Sequence, residues 1–183
     1  MEPVWNILVW VVLPLWVGAG FADYLCHRAS DIEHANGIRE SLIHWLMLIE
    51  VVVPLGLCVF FRINAFVIAV ALACLLAHEV TGYLDLKLAM ATRRITAFEK
   101  QVHSVLEVLP LTAILLVMIL HWPQTQALFG LGTEPAQWFL GPKQIPRWGE
   151  IVPPLTALVL LAIAPYAEEL ARGLKAPKKS CNK

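Results

Sequence analysis

Residues 38–61 read IRESLIHWLMLIEVVVPLGLCVFF. Past Arg39 and Glu40 the run is apolar for about 20 residues, which at ~1.5 Å per residue crosses the ~30 Å of hydrocarbon in a bilayer. Two residues break it, His44 and Glu50. An ionisable side chain inside lipid costs roughly 2.5–3.5 kcal/mol on insertion scales, so both are expected to face the interior of a helical bundle.

Working outward, four more runs of the same kind appear. The expected helices cover about 4–34, 38–61, 63–92, 98–121 and 151–171, in a single domain 1–174 followed by a basic cytoplasmic tail 175–183. The fifth run is the weakest, because Pro153, Pro154 and Pro165 interrupt or flank it. Composition agrees: 58% of the 183 residues are hydrophobic and only 15% charged, against about a quarter charged in soluble domains. The expected fold is an all-α integral membrane protein, a four-helix transmembrane bundle of two tandem hairpins plus a fifth C-terminal helix.

Charge sets the expected orientation. Arg28, Arg39, Lys87, Arg93, Arg94, Lys100, Arg172, Lys175, Lys178, Lys179 and Lys183 fall on one side, and Arg62, Lys143 and Arg147 on the other. Eleven against three puts the first set in the cytoplasm. The N-terminus is then outside and the C-terminus inside, and the expected location is a bacterial inner membrane. Trp5, Trp10, Trp122 and Trp138 lie toward the outer ends, where an aromatic belt belongs. Met-Glu-Pro-Val-Trp lacks the basic start of a signal peptide, so the first run reads as a retained helix. Zero net charge gives no reason to expect nucleic acid as a partner. No two of Cys26, Cys58, Cys74 and Cys181 make a Cys-x-x-Cys pair, so neither a disulfide framework nor a thiolate metal site follows.

A repeat supports the hairpins. Glu40-Ser-Leu-Ile-His44 is followed by Glu50-Val-Val-Val-Pro54-Leu55, and Glu99-Lys-Gln-Val-His103 by Glu107-Val-Leu-Pro110-Leu111. The preceding helices end in polar pairs as well, Asp23 with His27 and His78 with Asp85. Residues four or seven apart share a helix face, so four helices each present at least two ligand-type side chains along one stripe. Depths measured at ~1.5 Å per residue put these groups in two layers about one turn apart, which suits a pair of ions ~3.5–4 Å apart. The expected metal ligands are Asp23, His27, Glu40, His44, His78, Glu99, His103 and Glu107, with Asp85 as a further candidate. Glu50 and Glu79 are expected to support the reaction as proton-relay groups. Imidazole with carboxylate suits iron, manganese or zinc; iron is the first choice. Helical-bundle carboxylate proteins build such di-metal sites from Glu and Glu-x-x-His on facing helices, whereas the spacing here is Glu-x3-His.

Plainer readings exist for several residues. His121 reads as an interfacial histidine without a catalytic part. Asp31 and His34, beside Asn36-Gly37, suit a turn or cap as well as ligation. Glu40 and Glu99 sit near helix starts, where the dipole favours carboxylates. Asp85 could pair with Arg93 or Arg94. Glu168 and Glu169 read as a solvated helix end, and Trp45, Met47 and Tyr83 as packing residues.

Asp23-Tyr-Leu-Cys-His27-Arg28, with His34 downstream, resembles the Asp…His-Arg…His segments of membrane hydroxylases and desaturases of the fatty-acid-hydroxylase type. The resemblance covers about twenty residues; the His-His doublets of that family are absent, and carboxylates stand in place of several histidines. It implies an oxygen-dependent di-iron reaction on a lipid-like substrate, with an electron donor as partner. The leading expectation is therefore a membrane-embedded di-metal oxidoreductase acting on a hydrophobic substrate that enters from the lipid bilayer, with Arg93 and Arg94 available for an anionic head group. The alternatives are hydrolysis or isomerisation with zinc, a haem-b electron carrier with His44 and His103 as axial ligands, and a proton or metal-ion transporter.

Overall fold

In the computed structural model, which describes residues 2–30, 32, 37–143 and 148–176, regular structure is helical. Helix α1 is made of Glu2–Ile7, a π-helical turn Leu8–Val12 and Leu13–Ala29. Then come α2 (Gly37–Phe60), α3 (Ala65–Thr92), α4 (Ala97–Leu120) and the short α5 (Trp122–Leu128). The last, α6, is made of Trp148–Leu158, a second π turn Val159–Ile163 and Ala164–Lys175. Five of these helices are long and apolar enough to cross a membrane, which is compatible with an integral membrane protein. Their outer faces carry exposed apolar stripes at helical spacing, such as Leu46, Ile49 and Val53 on α2 and Val108, Leu111, Leu115 and Ile119 on α4.

Several boundaries differ from expectation. Asp31, His34 and the basic residues beyond Ala176 lie outside the described residues, so the expected end of α1 at 34 and most of the 175–183 tail do as well. Helix α6 continues through Pro153 and Pro154 and runs past 171 to Lys175. Both π turns have one physical cause. Each stands just before a proline, Pro14 or Pro165, and the proline ring would collide with the carbonyl four residues back. A wider turn absorbs that collision without ending the helix.

Neighbours along the chain pack together: α2 lies on α3, and α3 on α4, while α1 lies against α4. Helix α6 was expected as an appended element. Instead it lies against both α1 and α2, which places its side chains in the interior. Helix α3 is the most enclosed of the five, and its face of Ala65, Val67, Ile68, Ala71 and Leu75 is buried.

One end of the bundle is closed by the connection after α5. Asn64, 1% exposed, accepts the N–H of Val67 and donates to the Phe139 carbonyl at 2.8 Å. Gln124 accepts from the N–H groups of Ala65 and Gln137. Asn64 thus caps α3 and pins the connection at once. Asn64→Ala is expected to cost about 2 kcal/mol, the upper end for a helix cap, measured by unfolding in detergent; a change below about 0.5 kcal/mol would contradict this role. His121, at the end of α4, is held below the usual histidine range by burial and by the nearby Lys143.

Candidate metal centre

At the other end, side chains from all five long helices converge. Each helix delivers its pair by turn spacing: Asp23 and His27 from α1, Glu40 and His44 from α2, Glu99 and His103 from α4. Helix α3 supplies Asp85, and α6 supplies Tyr166 and Glu169. Of the ionisable groups, Asp23, His27, Glu40, His44, Asp85, Glu99 and Glu169 are each at most 3% exposed.

Glu169 organises the centre. Its Oε2 lies 3.1 Å from Nδ1 of His27 and its Oε1 lies 2.9 Å from Nδ1 of His44. Ser41 donates to the same Oε1 at 2.9 Å. The two imidazole rings stack in parallel, 4.5 Å apart and 7° from coplanar orientation. An ionised carboxylate only accepts hydrogen bonds, so Glu169 assigns the proton of each ring to Nδ1. Both Nε2 lone pairs are then free and point away from α6. A carboxylate behind a histidine in this way is how metal-binding imidazoles are commonly oriented. His27, His44 and Glu169 also come close enough together to hold an ion themselves, but their separations are those of hydrogen bonds, and Ser41 completes that pattern.

Beyond the two Nε2 atoms lies a chain of alternating carboxylates and imidazoles. Nε2 of His27 is 3.6 Å from Oδ1 of Asp23, which is 3.4 Å from Nε2 of His103. That nitrogen is 3.6 Å from Oδ2 of Asp85, whose Oδ1 is 3.3 Å from Nε2 of His44. Asp23, His27 and His103 offer ligand atoms that all lie within 4.8 Å of one another. At metal–ligand bonds of about 2.1 Å, ligands at right angles stand about 3 Å apart. The observed Asp–His edges of 3.3–3.6 Å therefore need a closure of about 0.3–0.6 Å. Oδ1 of Asp23, Oδ1 of Asp85 and Nε2 of His27, His44 and His103 are buried without a hydrogen-bond partner. Each such atom costs ~1–3 kcal/mol unless something satisfies it. Bound cations are one way to satisfy such a set.

Arg93 closes the centre from the α3–α4 connection. It was expected at the membrane surface, as was Arg94. Arg94 is exposed, but the Arg93 side chain is 7% exposed and donates to Oε1 of Glu40 at 2.8 Å and pairs with Glu99. Burial opposes its charge, but the bonds from Glu99 and Glu40 outweigh that, and its pKa lies above the ordinary arginine value. Thr96 caps α4 by accepting the N–H of Glu99, and the Glu99 carboxylate turns inward, 3.8 Å from Nε2 of His27. The internal repeat thus acquires a structural meaning. The two Glu-x3-His motifs send both glutamates to Arg93 and both histidines to Asp85.

The remaining expected residues fall elsewhere. Glu40 is bonded to Arg93 and stands back from the ligand chain. His78 is about 10 Å from Asp85 along α3, seven residues at ~1.5 Å each, and its Nδ1 lies 3.6 Å from Glu50. Glu107 is half-buried and next to Glu79, which is exposed on the outer face of α3. Asp85, open to pairing with Arg93 or Arg94, contacts His44 and His103 instead. Glu169, read as part of a solvated end, is 1% exposed, whereas its neighbour Glu168 fits that reading better, at the surface with Arg28, Tyr24 and Arg172. A signal for Glu169 was present: it falls on the stripe Ala162, Pro165, Glu169 and Gly173, all buried at helical spacing.

A cavity of about 100 Å³ opens beside the centre. Asp23, His44, Asp85, His103 and Tyr166 line one end, and Leu13, Trp16, Val51, Leu55, Leu106 and Leu158 line the rest. The long axis follows from residue spacing: Leu13 is ten residues from Asp23, or ~15 Å. No protein-family model, curated protein or solved structure matches this chain.

Proposed function

We propose that this protein is a membrane-embedded di-metal oxidoreductase that acts on a hydrophobic, lipid-like substrate. One observation carries the reading: three buried, unpartnered Nε2 atoms interleave with Asp23 and Asp85 while Glu169 holds two of the rings from behind. One ion would be held by Asp23, His27 and His103, and a second by His44 and Asp85, with Asp85 also within reach of His103. Five ligand groups with Glu99 close by exceed the four that one zinc takes, and imidazole with carboxylate suits iron or manganese. Iron is the first choice, which fits the resemblance to membrane hydroxylases and desaturases. Iron in that pocket would supply oxygen activation and the oxidation of a carbon–hydrogen bond.

The chain's own residues do the rest. Glu169 fixes ring orientation, and Arg93 balances the excess carboxylate charge. Tyr166 lines the cavity, and its hydroxyl could donate a hydrogen bond to a polar atom held beside the metal ligands. The apolar wall excludes water and aligns a hydrocarbon chain. With Arg28, Arg39, Lys87, Arg93, Arg94, Lys100, Arg172 and Lys175 at this end the centre would face the cytoplasm, where exposed Arg28, Arg94 and Lys100 offer a cationic surface to an external electron donor. A haem between His44 and His103 is disfavoured, because the Asp85 carboxylate already lies between their Nε2 atoms.

Metal titration of purified protein tests the ligand set. His44→Ala and His103→Ala are each expected to lower metal affinity by at least about 10-fold, the scale on which even residues behind the ligands act. Unchanged metal content in both variants would overturn the reading.

A further inference from the structure

The two smallest residues in the cavity wall, Gly20 and Ala162, stand about one turn before Asp23 and Tyr166 on their helices, and both are buried. Along α1 the wall is made by Leu13, Trp16, Val17, Gly20 and Asp23. Gly20 is thus the last step before the ligand, ~4.5 Å short of it along the helix axis. Asp23 is 2% exposed and its Oδ1 has no hydrogen-bond partner, so the cavity leads past Gly20 to an unsatisfied buried group. The Tyr166 hydroxyl stands across from Gly20. The Tyr166 ring lies against that of His44, with centroids 5.7 Å apart and 28° between the planes, which fixes that side of the passage. A Cβ built on Gly20 would meet the Tyr166 hydroxyl oxygen at 3.8 Å and, among the described residues, nothing else on another helix within 4 Å.

That distance is ordinary van der Waals contact for one carbon. Glycine weakens a helix interior, and no neighbouring helix demands it at this position, since a methyl group would fit. The space in front of Gly20 therefore belongs to the cavity, and its width is that of one carbon. We infer that Gly20 and the Tyr166 hydroxyl form a neck that passes a single unbranched hydrocarbon chain from the apolar part of the cavity to Asp23 and Asp85. The neck sets the width of substrate that reaches the ligands. A straight alkyl or acyl chain fits it, whereas a ring system, or a chain branched close to the reacting carbon, does not. The inference rests on the proposed hydrophobic substrate and narrows its class.

Photolabelling of the full chain in nanodiscs reads position as well as binding. The probes are a straight-chain alkane with a diazirine near one end and adamantyl diazirine, a compact ring body. Labelled residues are mapped by mass spectrometry, and only labelling that excess unlabelled straight-chain alkane competes away is counted. The straight probe is expected to label Asp23, Asp85 or Tyr166. The adamantyl probe should label them at least about 10-fold less, the scale on which an apolar site rejects surplus carbon. Gly20→Val should lower labelling of these residues by the straight probe at least about 10-fold, as overfilling a fitted space does, and should leave labelling of Trp16 in place. Gly20→Ala, whose methyl group the fold accommodates, should lower it by a smaller factor and decides the matter if the valine variant fails to fold. Gly18→Val, on the exposed face of the same helix, should change nothing. Equal labelling of Asp23 and Asp85 by both probes, undiminished labelling in the Gly20 variants, or no competed label at the ligand end in the unaltered protein overturns the inference. Metal content is measured on the same samples. Loss of metal in Gly20→Ala would make position 20 part of the packing of the centre and also overturn it, whereas absent metal in the unaltered protein would count against the centre and not against the neck.

Discussion

Glu169→Gln is expected to lower metal affinity by about 10–100-fold, the usual effect of removing the carboxylate behind a ligating histidine. The glutamate accepts from two Nδ1 atoms and from Ser41, using both of its oxygens. A glutamine has one accepting oxygen, and its amide nitrogen donates. One histidine would then face a donor with its own N–H, and would have to move its proton to Nε2, the atom needed for the metal. The change is nearly isosteric, so α6 should keep its place. Isothermal metal titration of Glu169→Gln beside Glu168→Gln checks this. Glu168 is 38% exposed in its side chain and bonds to Tyr24, Arg28 and Arg172, outside the chain of carboxylates and imidazoles, so its variant should bind metal as the unaltered protein does. Equal affinities for the two variants would remove Glu169 from the centre.

Arg93→Met carries the largest expected loss of stability, about 3–5 kcal/mol, the scale for breaking a buried ion pair by deleting one partner. The side chain bridges Glu40 and Glu99, each at most 1% exposed. Without the guanidinium two buried carboxylates lose the cation that both pair with. Arg93→Lys should recover only part of the loss, since a point charge does not reproduce the planar fork that serves two acceptors. Arg94→Ala, at an exposed neighbour, should stay within about 0.5 kcal/mol. Unfolding in detergent, on metal-free samples, gives the comparison. A loss in Arg93→Met no greater than in Arg94→Ala would mean that the triad does not hold the α3–α4 connection.

Much of the fold could be read from residue order. Each of the five apolar runs corresponds to one long helix, and the two Glu-x3-His motifs mark equivalent places in the structure. What was hidden depended on distance across the bundle. His78 and Asp85 are seven apart, so they share a face of α3, but a shared face still leaves them about 10 Å apart along the axis. Only the first of those facts is visible in spacing. Glu40 satisfies the same spacing rule as His44, yet Arg93 claims it, and no rule about one helix reports an arginine fifty-three residues away. Glu169 was obscured by its surroundings: Glu168, Arg172 and Lys175 make the last turns of α6 look solvated. The small residues in register with it, Ala162, Pro165 and Gly173, carry the opposite message. They allow α6 to approach α1 and α2 closely enough for one carboxylate to touch two histidines.

Elemental analysis of the protein purified from cells without added chelator decides whether the histidine–carboxylate centre holds metal. About two transition-metal ions per chain are expected, iron first, falling sharply in His27→Ala, His44→Ala and His103→Ala, with an unaltered helical spectrum. No bound transition metal in the unaltered protein, and none taken up on anaerobic addition of ferrous, manganous or zinc ions, would contradict it.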